Sequence, residues 1–326
     1  MDQPRQPKDL QGLLKFCVEA TKDEDAPGDT ESTIANMDPE RRQWLEQALA
    51  GMSVDVVKEL VEAIKVLNSS SVQDPNASEE DLEKIEYIFD CTGDWVGQVD
   101  MANNFHKIGG FDSLFKCLKS PHASVRNQAG NIIAELSQNN PYCQENFVKE
   151  NFLELLFNIL KSDYDVQVKA MYAISCIVRD SSMAQDKFLE LNGPTVVMNT
   201  TMESKSEKLR IKACFFISAL CEENGAIKQA FIDMGLPRQI LTLMQMEEHQ
   251  QSHEHMTRAL LVVLTDEVKK ELMNSSELNL KTFLQERLDL IKGQEEFDEE
   301  RMYLQEIAKA CYGQFVKTDS KADVDR

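Results

Sequence analysis

The sequence predicts an all-α array of stacked helical repeats, and three observations carry that prediction. The first is a skeleton of apolar residues at offsets 0, 4, 7, 8 and 11, one face of a 3.6-residue helix. It occurs as Val125, Ala129, Ile132, Ile133 and Leu136, again as Val166, Ala170, Ala173, Ile174 and Ile177, and again as Leu209, Ala213, Phe216, Ile217 and Leu220. The copies lie 41 and 43 residues apart. The second is a shorter apolar segment ahead of each copy. Phe111, Leu114, Phe115 and Leu118 return as Phe152, Leu155, Leu156 and Ile159, then fade through Gly193, Val196, Val197 and Thr200 to Leu236, Gln239, Ile240 and Leu243. The third is composition, since 9 Pro and 13 Gly are few for a loop-rich β protein. A period near 42 residues with two or three helices in each predicts an armadillo-like right-handed superhelical array. No unit of such an array buries its apolar face alone, so capping helices are expected at both ends.

Residues 1–36 read as a flexible arm, with a short apolar segment, "DLQGLLKFCVEA", followed by the acidic, turn-rich "TKDEDAPGDTESTIAN". Residues 37–109 read as capping helices. Asp38 is placed to cap the first of them, with Pro39 at the first helical position and Gly51 at the stop. Ser53 opens "SVDVVKELVEAIKVL", and Ser78 with Asp81 forms a capping-box candidate for a helix through Phe89. About four repeats fill 110–265, the last with His253 in the place of Leu209 and with Leu260, Leu261 and Leu264 in the places of Phe216, Ile217 and Leu220. Residues 266–316 read as the C-terminal cap, two polar-faced helices over 278–292 and 295–316 parted at Gly293, and 317–326 as a disordered tail.

The formal charge of −21 argues against phosphate backbones and anionic membrane surfaces as partners. "MDQPRQPKDLQG" holds no signal-like apolar run, and no apolar stretch is long enough to span a bilayer, so a cytoplasmic or nuclear protein is expected. The eight cysteines are scattered without a CxxC pair, as reduced thiols would be. Neither a GxxxxGK[ST] loop, nor a GxGxxG after a strand, nor a GxSxG elbow occurs, so no cofactor and no catalytic residue is assigned. The one metal-like grouping is "EEHQQSHEHM", with His249, His253 and His255; Thr257 stands where an HExxH motif would need its second histidine. A solvated acidic loop between helices is the competing reading of that stretch.

Binding chemistry concentrates on the long helices. Asn131, Tyr172 and Phe215 lie two residues after the core alanines, and Gln128, Lys169 and Lys212 lie one before them. A spacing of three puts both sets on one helical face, which makes either a ladder with cation–π potential or packing against neighbouring helices. The arm also has two readings. Leu10, Leu13, Leu14 and Phe16 suit a helix docked on the capping helices, while Leu13, Leu14, Lys15 and Phe16 on a tether suit an extended-peptide groove.

Taken together, "DLQGLLKF", "MDPERRQWLEQAL", "DMANNFHKIGGF", "VQVKAMYAISCIVRD" and "KLRIKACFFISAL" resemble the Fes-type nucleotide-exchange factors, armadillo co-chaperones of the seventy-kilodalton (Hsp70-class) heat-shock chaperones. The resemblance implies a non-enzymatic, monomeric partner of the cytosolic chaperone's ATPase domain that promotes ADP release. It places partner contacts at Ala102 and Asn103, in "DMANNF", and at Lys212. Met101 stands where many relatives carry Asn. It also implies an arm, through Leu13, Leu14, Lys15 and Phe16, that promotes substrate release by imitating substrate at the chaperone's substrate-binding domain. The alternative is a general armadillo adaptor holding a peptide or partner protein in its groove.

Overall fold

Fourfold sequence punctuation sets the architecture: Phe105, Phe147, Phe188 and Phe231 are each followed four residues later by Gly or Asn, at Gly109, Asn151, Asn192 and Gly235. In the computed structural model, which describes residues 55–313, those Gly and Asn residues take left-handed backbone angles, φ +92°, +62°, +55° and +77°. Only Gly, and among side-chain residues chiefly Asn and Asp, visit that region at low cost. Each such residue turns a short helix ending just after the phenylalanine into the next helix. The four rings are fully buried beneath that turn. A Cβ on Gly110 or Gly193 would come within 2.4 or 2.3 Å of the Phe105 or Phe188 ring, so glycine lets the second helix start against the ring.

All regular structure among the described residues is helical. After α1 (Val56–Leu67), a 3-10 turn (Ser70–Val72) and α2 (Glu79–Val96), three-helix units follow. The first helices are α3 (Val99–Lys107), α6 (Pro141–Lys149), α9 (Ser182–Glu190), α12 (Gly225–Asp233) and α15 (Asp266–Asn274), each nine residues long. The second helices are α4 (Gly110–Cys117), α7 (Phe152–Ser162), α10 (Gly193–Glu203), α13 (Leu236–Met246) and α16 (Leu280–Leu290). The third are α5 (Ala123–Ser137), α8 (Gln167–Val178), α11 (Glu207–Glu223), α14 (Ser252–Val262) and α17 (Asp298–Tyr312). Side chains of Asn140, Ser181, Asn224 and Thr265 accept backbone N–H bonds at the starts of α6, α9, α12 and α15, satisfying donors that a helix end leaves free. From Leu60 onward the described residues form one compact unit. Its spine is a row in which α2, α5, α8, α11, α14 and α17 each pack on the next.

The fifteen residues of the three predicted stripes are at most 2% exposed, so the stripe is the core. In the fourth copy the register differs from the expected one. Ser252, Met256, Ala259, Leu260 and Val263 are buried, whereas Leu261 and Leu264 are half-exposed. The stripe therefore begins at Ser252, 43 residues after Leu209, and one residue of slip rotates the face by about 100°. "ALLVVL" is apolar nearly all round, so its pattern fits either phase.

The Ser78 cap is present: its hydroxyl accepts from the Asp81 N–H at 3.1 Å and donates to the Asp81 carboxylate at 2.8 Å. The helix it opens runs past Phe89 to Val96, because Thr92 and Val96 continue its buried face. At the C-terminal end, Gly293 has φ +76° between α16 and the 3-10 turn Glu295–Phe297 that leads into α17. The region read as a two-helix cap also contains α15, so that α15–α17 repeat the order of a full unit. Leu13, Leu14, Lys15 and Phe16 of the arm, the caps read at Asp38 and Ser53, and the tail 317–326 lie outside the described residues.

Candidate partner-binding face

The row of third helices lines the concave side of arrays of this kind, and here its polar side chains link one helix to the next. Asn131 on α5 donates to Glu135 one turn on, at 2.6 Å, and accepts from the Lys169 ammonium of α8, also at 2.6 Å. Gly130 lets α8 come this close: a Cβ there would stand 3.3 Å from that of Lys169. The Gln138 amide donates to the Tyr172 hydroxyl. The Lys212 ammonium of α11 lies over the Tyr172 ring, 4.4 Å from its centre. Phe215, still 39% exposed, is flanked by the Arg179 and Arg258 guanidiniums at 5.2 and 5.9 Å. Arg258 in turn reaches Glu222 at 3.5 Å.

The two readings of these positions therefore merge. Asn131, Lys169, Tyr172, Lys212 and Phe215 contact neighbouring helices, yet each keeps part of its surface in solvent. Four cations, Lys169, Arg179, Lys212 and Arg258, gather there on a chain of formal charge −21. Burial pushes the Glu135 carboxyl above its ordinary range, opposed by the Asn131 hydrogen bond and by Lys169 and reinforced by Asp94. Burial likewise pushes the Tyr172 phenol up.

Arg179, Arg258 and Glu135 were not among the residues read from the sequence. Arg258 had a signal: counted from Ser252, it occupies the place of Asn131, Tyr172 and Phe215, with His255 in the place of Lys169 and Lys212. The one-residue slip hid that fourth rung.

Ala102 is a correction. It is 2% exposed, on the same inward face of α3 as Phe105, and cannot offer its side chain to a partner. Asn103 beside it is half-buried and accepts from the Asn140 amide at 3.2 Å, tying α3 to the cap of α6.

The histidine stretch divides in two: residues 247–251 form the loop between α13 and α14, with Glu248 and Gln251 exposed, and α14 begins at Ser252. His253 is fully buried at the start of α14, and the His249 ring lies 2.7 Å from the carboxylate of buried Glu300. No cluster of three metal-ligating side chains occurs among the described residues. His253 instead takes the place of Arg126, Gln167 and Arg210. Those three donate to the Ser120, Leu160 and Ser204 carbonyls, fastening each third helix to the segment before it. Both ring nitrogens of His253 lack a partner among the described residues.

Residues 101–236 match the model of the SIL1/FES1/HPBP1 C-terminal domain, and residues 10–105 match that of nucleotide exchange factor Fes1. Hsp70-binding protein 1 of Rattus norvegicus is 30% identical over 332 residues, covering 98% of this chain and 90% of that protein. The chain belongs to the SIL1/FES1/HPBP1 family. Another member, Hsp70 nucleotide exchange factor FES1 of Candida glabrata, is 30% identical over 209 residues, covering 63% of this chain and 69% of that protein. The SIL1/FES1/HPBP1 domain match takes in Asn131, Lys169, Tyr172, Lys212 and Phe215, and ends before Arg258. Among solved structures, a designed armadillo repeat protein in complex with the peptide (KR)4 has TM-score 0.61 at 17% identity, over 77% of this chain and 99% of that one. That likeness shows the fold of this chain to be armadillo-like.

Proposed function

We propose that this chain is a nucleotide-exchange co-chaperone that binds the ATPase domain of an Hsp70-class chaperone through its row of third helices and promotes ADP release. The observation that carries the reading is membership of a family whose relatives are named Hsp70-binding protein 1, matched over nearly the whole chain, and Hsp70 nucleotide exchange factor, matched over 63% of it. An exchange factor needs no reacting group. It needs a surface that binds the open ATPase conformation more tightly than the ADP-closed one, and a coupling of about 1–3 kcal/mol weakens ADP by roughly 5- to 150-fold. A row tied together at Asn131, Lys169, Tyr172 and Lys212 resists deformation and so favours one conformation of what it grips. In this reading the chain acts as a monomer in the cytoplasm, where the free thiols of the described cysteines remain reduced. The arm residues Leu13, Leu14, Lys15 and Phe16 engage the chaperone's substrate-binding domain and promote substrate release.

The adaptor reading has less support. The Asn131 amide is occupied on both sides, by Lys169 and Glu135, and four cations on the row disfavour a basic peptide of the (KR)4 kind. The test is release of a fluorescent ADP analogue from a purified Hsp70-class chaperone. Acceleration by this protein is expected, and an unchanged release rate at saturating protein removes the reading.

A further inference from the structure

The grooves between successive second helices differ in chemistry along the stack. The one beside α7 and α10 is lined by Asn192, Thr195, Asn199 and Thr200, with single opposite charges at Lys161 and Glu203. The one beside α4 and α7 carries two acids, Asp112 and Glu150, and Glu150 is held by His106 at 2.8 Å. Between α13 and α16 lies a larger groove of about 510 Å³ with four carboxylates, Glu247, Glu248, Glu277 and Glu286. Glu247 and Glu277 are paired with Arg210 and Arg238. Glu248 and Glu286 are exposed and have no ion pair among the described residues. The Arg287 guanidinium, the one basic side chain in the lining apart from the His249 ring, is 6% exposed and turned to the Met244 carbonyl at 2.8 Å. The C-terminal end of α13 adds the negative pole of a helix dipole. Leu278 and Phe283 floor the groove, and Leu290, 55% exposed, forms an apolar ledge in it.

We propose that this groove docks a cationic, leucine-bearing segment of a partner protein, with its Lys or Arg side chains at Glu248 and Glu286 and an apolar side chain against Leu290 and Phe283. Charge selects the occupant. A nucleic acid or an anionic membrane is repelled by the two uncompensated carboxylates, Glu248 and Glu286, and a neutral peptide gives neither a partner. The volume is that of a ligand-sized site, and the neutral lining of the groove beside α10 shows that the acidity is not imposed by the repeat. The site stands on second helices and their loops. It therefore does not depend on the exchange-factor reading, which concerns the third-helix row.

The experiment uses the full chain and a fluorescein-labelled amphipathic peptide of Lys and Leu, followed by fluorescence anisotropy at about 150 mM salt, where long-range attraction is largely screened. Saturable one-to-one binding is expected, weakened about tenfold or more by the double change Glu248→Lys and Glu286→Lys. Leu290→Asp is the discriminating variant, because it adds negative charge while removing the apolar ledge. It also weakens binding if the groove is the site. Binding as tight or tighter than that of the unaltered chain shows only diffuse attraction to an acidic protein and overturns the proposal. Absence of saturable binding overturns it too, as does a loss caused by Lys212→Glu, which would place the peptide on the third-helix row. The three altered groove positions, Glu248, Glu286 and Leu290, are exposed, and circular dichroism checks that each variant keeps its helices.

Discussion

Lys212 owes its position to Tyr172: the ammonium sits 4.4 Å above the ring, half-buried, on a face where attraction to an acidic partner costs little further ordering. Lys212→Glu replaces that attraction with repulsion and leaves the core stripe untouched, so a folded variant is expected to lose about tenfold or more in affinity for the chaperone. Unchanged acceleration of ADP release by a folded Lys212→Glu protein would take Lys212 off the face. His253 makes a different residue-scale prediction. Burial first, then Arg287, His249 and Arg210, push its pKa down from 6.5 to about 3. The unfolded chain therefore takes up a proton near pH 6.5 that the native state refuses. Stability from this residue is intact above pH 6.5 and falls as pH drops toward 3, by up to about 1.4 kcal/mol per pH unit. In His253→Leu that share of the acid slope should vanish from urea midpoints measured between pH 6.5 and 4.5. An unaltered slope would mean that the ring is protonated or hydrated in the native protein.

At the scale of elements, the left-handed turns and the buried stripe are independent requirements and fail differently. Asn192 has φ +55° between α9 and α10, so Asn192→Val should cost about 1–2 kcal/mol while Asn192→Gly stays near neutral, as read from urea midpoints. Ile174, fully buried on the stripe of α8, should cost about 2–5 kcal/mol as Ile174→Ala. A midpoint shift near zero there would contradict the packing. These elements were unequally legible in the sequence. The stripes of α5, α8 and α11 could be read because twelve or more residues carry the period. The nine-residue first helices bury too few residues to show one; α12 buries only Ile227 and Phe231. Their real signature, Phe followed four residues later by Gly or Asn, is a turn signal and not a helical one. The fourth stripe was misread because "ALLVVL" supplies an apolar residue to either phase, and Arg258 was lost with it. Ala102 was carried over by resemblance to a contact, although its place one turn ahead of Phe105 on α3 is a core place.

For the whole molecule, a stack in which each unit touches its neighbours separates stability from the ends of the chain, and this makes the arm testable apart from the array. Residues 21–36, "TKDEDAPGDTESTIAN", are acidic and poor in apolar side chains, the composition of a tether. Removal of residues 1–36 takes away Leu13, Leu14, Lys15 and Phe16 and leaves every helix of the third-helix row. Under the substrate-imitation reading, ADP release by the truncated protein should persist, because the array alone biases the ATPase domain. Its urea midpoint should barely move. Displacement of a labelled peptide from the chaperone should slow, and the deficit should grow with peptide concentration, since a tethered competitor works through effective concentration. A docked helix would do the opposite. Its loss would expose apolar surface and lower stability by roughly 25 cal/mol for each Å² uncovered, with peptide displacement impaired only as far as ADP release is. Full peptide displacement by the truncated protein, at matched ADP release, would therefore eliminate the imitation reading. A lowered midpoint with both activities reduced in step would establish the arm as part of the fold.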